Sequence, residues 1–306
     1  MLSFKVLNVD NTEEIIIGLS DDESVREELR EIVADMELDD PDMEFALSYA
    51  HGCALIRVYD MGRHSFIYPL ELYCCDDRDT GAALDAIAEY AMRQEVPFNV
   101  DNVPRERLSD FASFRHFDVD ARDPEGETFR VRVKTECDLI RHIPEVEEGR
   151  VKLNELCEDD IPEYARLVRD RDVNKHWGYD YSEDVDDPDD EYFYDIALSE
   201  LESGIALSMA IRSEGNFIGE VILYAFDGRG CAEFAIRLLP EWQGKGLGTE
   251  AVRALTEASR EIGLVRLSSR IMKENKASVR MLDKVADERF EEGDQVIFYI
   301  DLYDLG

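Results

Sequence analysis

The most chemically distinctive stretch of the sequence is a glycine-rich turn, "QGKGLGTEA" at 243–251, directly ahead of a helical pattern. Its glycines, Gly244, Gly246 and Gly248, leave the backbone uncovered, so that a ligand can approach it closely. The amides that begin a helix have no partner within it, and the helix dipole favours negative charge there. The turn therefore predicts a site for an anion such as a phosphate. Lys245 either adds a direct positive charge or lies in solvent.

Two common nucleotide motifs fit this turn poorly. A P-loop requires GxxxxGK followed by Ser or Thr, whereas Gly244 and Lys245 are followed by Gly246. The stretch 246–251 formally matches the GxGxxA of a dinucleotide-binding fold. That fold needs a βαβ unit and an acidic residue about 20 residues further on. Hairpin patterns precede this turn instead, and the acidic residue is missing.

The elements around the turn predict an α+β domain, with a mixed, mostly antiparallel sheet flanked by helices. The second half of the chain reads β-α-α-β-β-β-α-β-α-β. These elements are a strand at 151–156, helices at 157–170 and 193–204, strands at 206–212, 217–226 and 231–239, a helix at 249–262, a strand at 264–272, a short helix at 275–285 and a strand at 295–303. Gly263 is the expected C-terminal stop of the helix after the turn.

The first half of the chain runs in a similar order. Its elements are a strand at 4–9, a helix at 22–36, strands at 44–49, 53–59 and 65–73, a helix at 80–93, a strand at 97–100, a helix that opens at Pro104 and a strand at 128–134. We interpret the chain as two copies of one fold, with domains at 1–143 and 151–306 and a linker at 144–150. Two independent α+β domains with similar element orders are the alternative.

The composition is strongly acidic, with 71 Asp and Glu against 34 Lys and Arg and a net charge of -37. Such a charge repels nucleic acid and anionic membranes and attracts cations, including amines. It also fits a saline cytoplasm, where it serves solubility. No apolar run approaches the length of about 20 residues that spans a membrane, and we expect a cytoplasmic protein. The six cysteines form no CxxC pair, so we expect no metal.

Two motifs together make residues 150–306 resemble the GNAT superfamily of N-acetyltransferases. One is Q/R-x-x-G-x-G/A at 243–248, and the other is "ENKASVRMLDKV" at 274–285. The second motif looks like the NxxSxxxLEK pattern of the subgroup with the ribosomal-protein N-terminal acetyltransferases. "VNKHWGYD" at 173–180 is also similar to that subgroup.

The resemblance implies a reaction and its partners. Acetyl-coenzyme A would be the cosubstrate, without a metal, and the acetyl group would pass to a primary amine by direct attack in a ternary complex. The acceptor would be a small molecule or a protein N-terminus, and the protein a monomer with an internal pseudo-dimer or a homodimer. A non-catalytic protein that binds acyl-coenzyme A as a sensor is the alternative.

The resemblance also implies where the cofactor binds. Its pyrophosphate would bind the amides of residues 243–249, and its pantetheine arm would pair with the strand near Ile236 and Leu238. Asn275 matches the family asparagine that contacts the cofactor. The implied cofactor-binding residues are Ile236, Leu238, Gln243, Gly244, Lys245, Gly246, Leu247, Gly248, Thr249 and Asn275.

Acetyl transfer to an amine requires a base that takes a proton from the ammonium and an acid for the departing thiolate. Glu233 is the candidate base, because some family members carry a glutamate on the equivalent strand; a solvent-facing strand residue is the other interpretation. Glu220 is the alternative base. Many family members use a tyrosine as the acid at the position of Leu282, a departure that leaves Ser278 as the candidate acid. Ser278 could also simply cap a helix or face solvent.

An acidic loop, Glu183–Glu191, lies where the family bounds its acceptor site. It could attract a cationic acceptor, or it could be a solvated loop of an acidic protein. Trp177 and Tyr179 are candidates for the acceptor pocket, although aromatic residues are also common in cores.

The first half contains a weaker copy of the turn, "RDTGAA" at 78–83, and Asn102 matches Asn275. It has one glycine where the second half has three. The carboxylates of Asp76, Asp77 and Asp79 crowd it and would repel a pyrophosphate. We therefore expect a degenerate copy that keeps the fold and does not bind the cofactor.

Overall fold

A computed structural model describes residues 3–6, 10–34, 44–49, 52–59, 66–74, 84–85, 87–88, 99–121, 126–177 and 188–303. The chain divides into two compact units, Met1–Lys134 and Thr135–Gly306. This division falls ahead of the predicted linker at 144–150, and part of that linker is strand in the second unit. The predicted domain limits at 143 and 151 stay a prediction.

The second unit is built on one sheet of eight strands. The strands are β8 (Val146–Glu148), β9 (Val151–Glu155), β10 (Leu207–Ser213), β11 (Asn216–Tyr224), β12 (Cys231–Leu238), β13 (Arg266–Met272), β14 (Glu288–Glu292) and β15 (Gln295–Asp301). Their order across the sheet is β14-β15-β13-β12-β11-β10-β9-β8. All neighbours are antiparallel except β12 and β13. The predicted class, a mostly antiparallel sheet with helices, is confirmed for this unit.

The parallel junction between β12 and β13 is short. Their described register covers Cys231 with Arg266, Ala232 with Leu267 and Glu233 with Ser268. Beyond Glu233, β12 continues for five residues without pairing to β13 in the described part of the sheet. The two strands therefore separate at the end of β12 that leads into the glycine turn.

The described part of the second unit contains six helices. The first unit has the helices α1 (Thr12–Leu19) and α2 (Glu23–Ala34). The second unit then has α3 (Glu136–Leu139), α4 (Ile161–Arg169), α5 (Arg171–Asn174), α6 (Asp190–Glu202), α7 (Leu247–Ile262) and α8 (Lys276–Leu282). Gly263 ends α7 with a φ of 97°, a left-handed conformation that suits glycine, as the sequence predicts.

The core of the second unit lies on both faces of the sheet. Neighbouring residues of β10 divide between two apolar clusters, because side chains alternate along a strand: Met209 and Ile211 pack in one, and Ala210 in the other. The first cluster contains the buried side of α7, such as Leu255. The second contains residues of α4 and α6, among them Tyr164. The sheet is therefore a layer between α7 on one face and α4 and α6 on the other.

The described residues of the first unit form two sheets. Its strands are β1 (Ser3–Val6), β2 (Glu44–Tyr49), β3 (Gly52–Tyr59), β4 (Phe66–Cys74), β5 (Asn99–Pro104), β6 (His116–Ala121) and β7 (Thr128–Lys134). One sheet has the order β1-β2-β3-β4 and the other β5-β7-β6, and every described neighbour is antiparallel. Cα atoms of β4 and β5 approach within 8 Å of one another, although no described ladder joins them.

The sequence missed several elements. Thr12–Leu19, His116–Ala121, Val146–Glu148 and Glu288–Glu292 were not predicted. The helix predicted to open at Pro104 is wrong in type: Pro104 ends β5, and Arg105–Ser113 forms a 3-10 helix. Of the helix predicted at 80–93, residues 84, 85, 87 and 88 are helical and the rest lies outside the described residues. None of the described helices is both long and apolar enough to cross a membrane.

Candidate functional site

The glycine turn links β12 to α7 through a single 3-10 turn, Pro240–Trp242. Gly244 and Gly246 have φ angles of 70° and 86°, which favour glycine because a side chain would strain the backbone. A Cβ atom on Gly244 would meet nothing within 4 Å. The outer side of the turn is thus open, and helix α7 begins at Leu247, two residues ahead of the prediction.

Five consecutive backbone amides in this turn are available to a ligand. The amides at the two ends of the predicted stretch donate hydrogen bonds within the turn. The Gln243 amide donates to the Pro240 carbonyl at 3.2 Å, and the Thr249 amide donates to the Gly246 carbonyl at 3.1 Å. Between them, the amides of residues 244–248 donate to no other described residue. They lie at the positive end of a helix of 16 residues. This arrangement suits an anion with several oxygens.

Lys245 does not extend over the open side of the turn as a free charge. Its Nζ lies 5.0 Å from the centre of the Trp242 ring, within the range of a cation–π contact. The positive field at the turn therefore comes from the amides and the helix end, with the Lys245 charge stacked beside them.

Sequence reasoning missed Arg150, which contacts the turn from the β8–β9 connection. Its Nη2 donates to the Lys245 carbonyl at 2.9 Å, and its backbone amide donates to Glu250 Oε2 at 2.8 Å. The side-chain hydrogen bond from Arg150, with the one from its backbone amide, lowers the pKa of the Glu250 carboxyl. No local signal could have found Arg150, since its partners lie 95 and 100 residues away along the chain.

The separated part of β12 exposes backbone groups beside the turn. The Leu239 amide donates to the Ile218 carbonyl at 2.9 Å, so Leu239 is in a hydrogen-bonded pair with β11. Because such pairs alternate in an antiparallel ladder, the amides and carbonyls of Ile236 and Leu238 point the other way, toward the gap beside β13. The side-chain amide of Gln243 donates to the Leu238 carbonyl at 2.8 Å. The structure thus brings Ile236, Leu238 and Gln243 together.

Asn275 and Ser278 lie at the start of α8. Asn275 is the N-cap, and its Oδ1 accepts the Ser278 amide at 3.2 Å. The Asn275 Nδ2 donates to none of the described residues. The Ser278 side chain is half-buried. Capping by Asn275 therefore fixes the first turn of α8 and places Ser278 on it.

Gly248 has a role different from the other two glycines. A Cβ atom there would lie 2.7 Å from Met281 Sδ and 3.8 Å from Leu238 Cδ1. Gly248 thus lets α8 pack closely on α7. Val279 and Leu282 of α8 are buried in the same apolar cluster as α7, so α8 lies on the same face of the sheet as the helix that follows the turn.

Glu233 is the last residue of β12 that pairs with β13, and its side chain is 23% exposed. Its Oε1 lies 3.2 Å from Arg270 Nε, and the Tyr224 hydroxyl lies 3.5 Å from its Oε2. The carboxylate therefore sits where the strands begin to separate, between a cationic and a phenolic group. Its environment differs from the plain solvent-facing strand residue of the other interpretation.

Glu220 is held on both carboxylate oxygens. The Tyr164 hydroxyl donates to Oε1 at 2.7 Å, and Arg237 Nε donates to Oε2 at 2.8 Å. The Glu220 side chain is 1% exposed. These contacts favour a structural role for Glu220 over that of a base that must reach an acceptor.

Arg237 connects this buried carboxylate to the segment after α5. Its Nη1 donates to Asn174 Oδ1 at 2.5 Å, and its guanidinium carbon lies 4.1 Å from the centre of the Trp177 ring. The Asn174 Nδ2 in turn donates to the Leu167 carbonyl at the end of α4. Trp177 is therefore half-buried against β12.

A second contact joins the same segment to the loop ahead of α8. His176 Nδ1 lies 3.4 Å from Glu274 Oε1, and Glu274 directly precedes Asn275. The segment that carries Trp177 thus contacts elements on both sides of the gap between β12 and β13. Tyr179 and residues 183–187 of the acidic loop lie outside the described residues, whereas Asp189 and Asp190 begin α6.

The position that carries a tyrosine in many family members is occupied here by a core residue. Leu282 is fully buried in the core cluster that contains α7. Among the described residues, no group of His, Cys, Asp and Glu could hold a metal ion.

Comparisons with known proteins agree with this geometry. Residues 150–286 match the family model of the acetyltransferase (GNAT) domain. Among curated proteins, none is similar enough in sequence to count as a match. The match covers most of the second unit and agrees with the resemblance of residues 150–306 to that family.

Several solved structures are similar over about half of the chain. An acetyltransferase of the GNAT family from Bacillus anthracis is 18% identical with a TM-score of 0.43, over 52% of this chain and 99% of that one. Spermidine N-acetyltransferase from Vibrio cholerae, in complex with CoA and spermine, is 20% identical with a TM-score of 0.42, over 50% and 96%. RimJ from Mycobacterium smegmatis, in complex with CoA-disulfide, is 19% identical with a TM-score of 0.43, over 53% and 90%.

Proposed function

We propose that the second unit is an acetyl-coenzyme A-dependent N-acetyltransferase that acts on a primary amine by direct attack in a ternary complex. The observation that carries the proposal is the row of five amides, residues 244–248, at the start of α7. The match of residues 150–286 to the acetyltransferase family gives the reaction class.

The residues around the turn fit coenzyme A. The amides of residues 244–248 would hold the pyrophosphate, and the exposed backbone of Ile236 and Leu238 would pair with the pantetheine arm. Asn275 Nδ2 supplies a further donor. Bound acetyl-coenzyme A would supply an acetyl group already activated as a thioester.

The chain's own residues would then move two protons. Glu233, at the point where β12 and β13 separate, takes the proton of the acceptor ammonium, directly or through water. Arg270 and Tyr224 hold its carboxylate in place. Ser278 relays to the departing sulfur the second proton, which the attacking nitrogen loses as the amide forms, so its hydroxyl is restored and coenzyme A leaves as the thiol. The backbone amides of the separated strand stabilise the negative charge that develops on the reacting carbonyl.

The acidity of the chain supports a cationic acceptor. The net charge of -37 attracts ammonium groups over the length scale that salt screening permits, about 8 Å in a physiological medium. We propose a small amine or a protein N-terminus as the acceptor, and neither nucleic acid nor membrane as a partner. A cytoplasmic location, as a monomer with an internal pseudo-dimer or as a homodimer, is part of the same proposal.

We further propose that the first unit is a degenerate copy of the same fold. When the strands β9–β15 of the second unit are numbered 1 to 7 along the chain, their order across the sheet is 1-2-3-4-5-7-6. Strands β1–β7 of the first unit have the orders 1-2-3-4 and 5-7-6 in their two sheets. The two sheets of the first unit divide between β4 and β5, and the corresponding strands of the second unit, β12 and β13, are the ones that separate. The shared connectivity supports a tandem origin; the weak turn at 78–83 lies outside the described residues.

A thiol-release assay tests the proposed reaction. The protein is mixed with acetyl-coenzyme A and a panel of a polyamine, an aminoglycoside and a peptide with a free N-terminus, and free thiol is recorded against a no-amine control. Amine-dependent thiol release with an acetylated product in the mass spectrum supports the enzyme. Coenzyme A binding without transfer to any amine favours the sensor, which the buried Leu282 at the usual tyrosine position keeps as the second candidate.

A further inference from the structure

Arg150 contacts the two parts of the candidate phosphate site at once. Its Nη2 donates to the Lys245 carbonyl inside the turn at 2.9 Å. Its Nε donates to Glu250 Oε1 at 3.1 Å, and Nη2 also contacts that oxygen. The backbone amide of Arg150 donates to the other carboxylate oxygen, Oε2. One residue thus joins the turn to the first turn of α7.

The contact with the Lys245 carbonyl determines where the next amide points. The Lys245 carbonyl and the Gly246 amide belong to one planar trans peptide, so the C=O and N–H bonds point in opposite directions. Arg150 holds the carbonyl on its own side of the turn. The Gly246 N–H is consequently directed to the opposite side, among the five amides that lack a partner in the described chain.

The β8–β9 connection is built to hold Arg150 close to α7. Gly149 has a φ of 61°, and a Cβ atom there would lie 2.8 Å from Glu250 Oε2. The Arg150 guanidinium also lies 3.5 Å from the position of a Cβ atom on Gly246. Gly149 therefore permits the close approach of Glu250, whereas a Cβ atom on Gly246 would lie at an ordinary van der Waals distance from the guanidinium.

The contacts of Arg150 indicate orientation more than charge. Its guanidinium is paired with the Glu250 carboxylate, so much of its positive charge is compensated locally. A planar guanidinium can serve a carboxylate and a carbonyl at the same time, because its donors are held in a fixed fork. A lysine has a single ammonium and lacks this geometry.

We propose that Arg150 is a positioning residue for the pyrophosphate of coenzyme A, acting through the orientation of the Lys245–Gly246 peptide. This inference rests on the proposed function, since it requires that the turn binds coenzyme A. Arg150 itself need not touch the ligand.

Calorimetry with coenzyme A and with 3′-dephospho-coenzyme A tests the inference, because both carry the pyrophosphate and only one carries the 3′-phosphate. The variants are Arg150→Gln and Arg150→Lys. Arg289→Gln is the matched control, since Arg289 is 46% exposed against 56% for Arg150 and also pairs with carboxylates. The urea midpoint of each variant is measured alongside.

We expect both Arg150 variants to lose affinity by about tenfold for both ligands, the size expected for one misdirected hydrogen bond to a charged group. The control should bind as the wild type does. The urea midpoints should stay close together, because Arg150 is an exposed residue in a short connection.

Four results would overturn the inference. Wild-type affinity in Arg150→Gln would mean that the turn holds its shape unaided. Full recovery in Arg150→Lys would mean that charge alone matters. A loss confined to coenzyme A would point to a direct contact with the 3′-phosphate. If the wild-type protein binds neither ligand, the proposed function is wrong and the inference ends with it, whereas in the first three cases the proposed function stands.

Discussion

Arg237 and Glu220 form an ion pair across neighbouring strands of the sheet, with 2.6 Å between Nη2 and Oε2. The two side chains are 2% and 1% exposed. A buried ion pair adds little to the free energy of unfolding relative to a pair of well-packed apolar residues. Removal of one partner is costly, because it leaves the other charge buried and uncompensated. The pair therefore fixes the position of Arg237, and with it Trp177, relative to β12.

Glu220→Gln should lower the free energy of unfolding by about 3 kcal/mol, because the variant leaves Arg237 buried without its counter-charge. Urea denaturation at pH 7 measures the change. Glu291→Gln is the control, since Glu291 pairs with Lys273 and Arg289 but is 53% exposed, and we expect a loss below about 1 kcal/mol. Equal stabilities of the two variants would contradict a structural role for Glu220.

Gly246→Glu should abolish coenzyme A binding, because the new carboxylate would stand among the amides of the turn. Gly263→Glu is a matched control at the other end of α7. Both glycines have left-handed backbones, with φ angles of 86° and 97°, so both variants carry a similar strain of about 1–2 kcal/mol. Calorimetry should show lost binding in the first variant alone; unchanged affinity there would mean that the phosphate site lies elsewhere.

Glu233→Gln should lower turnover at least about 100-fold while the affinity for acetyl-coenzyme A stays near that of the wild type, as expected for loss of a general base. Initial rates with the best amine of the panel, together with calorimetry, separate the two quantities. Glu292→Gln is the control: Glu292 also contacts Arg270, at 3.4 Å, but is 72% exposed. An active Glu233→Gln enzyme would remove Glu233 as the base.

The full chain should bind one molecule of coenzyme A. The turn at 78–83 has a single glycine and three nearby aspartates, which disfavour a pyrophosphate. Calorimetric titration of the full chain gives the stoichiometry, and Gly246→Glu serves as the control that should reduce it to zero. Two sites per chain, or one that survives Gly246→Glu, would contradict the degenerate-copy interpretation.

Asp160 should stabilise the second unit in a pH-dependent way. Burial raises the pKa of Asp160, but hydrogen bonds from Arg212 and from the Cys157 amide and thiol outweigh it and the net pKa is lowered. A carboxyl whose pKa is lowered in the folded state stabilises the protein when the pH is above the ordinary pKa, near 3.8. This stabilisation is lost as the pH falls through the pKa of the folded state.

The difference in unfolding free energy between wild type and Asp160→Asn should accordingly be constant above about pH 5 and shrink in more acidic buffer. Urea denaturation across a pH series measures it. Asp159→Asn is the control, because Asp159 is exposed in the same 3-10 turn. A gap that does not change with pH would show that the pair with Arg212 contributes nothing through its charge.

The sequence predicted features that depend on neighbouring residues. The glycines and the helix after them predicted the turn, and Gly263 predicted the end of α7, because left-handed positions and helix ends carry local signals. β14 carried no such signal: its residues are all exposed, and "ERFEE" lacks the apolar alternation of a half-buried strand.

Contacts between distant residues could not be predicted in this way. Three contacts join residues from different elements, and the spacing of these residues along the chain does not indicate that they meet. They are Arg150 with Lys245, Arg237 with Trp177 and His176 with Glu274. The orientation of Ile236 and Leu238 also depends on the register of β12 with β11, which the sequence leaves open. The family resemblance supplied these two positions as candidates. The ladder between β11 and β12 explains why their backbone groups point away from β11.

The parallel junction of three residue pairs between β12 and β13 has a consequence for the mechanics of the domain. It has fewer residue pairs than the ladders of β10 with β11, β11 with β12 and β13 with β15. Amide exchange should be faster at this seam than in the hairpin of β10 and β11, because few bonds must open together there. The gap between the separated strands thus divides the sheet into β8–β12 and β13–β15, and three residue pairs join these two parts.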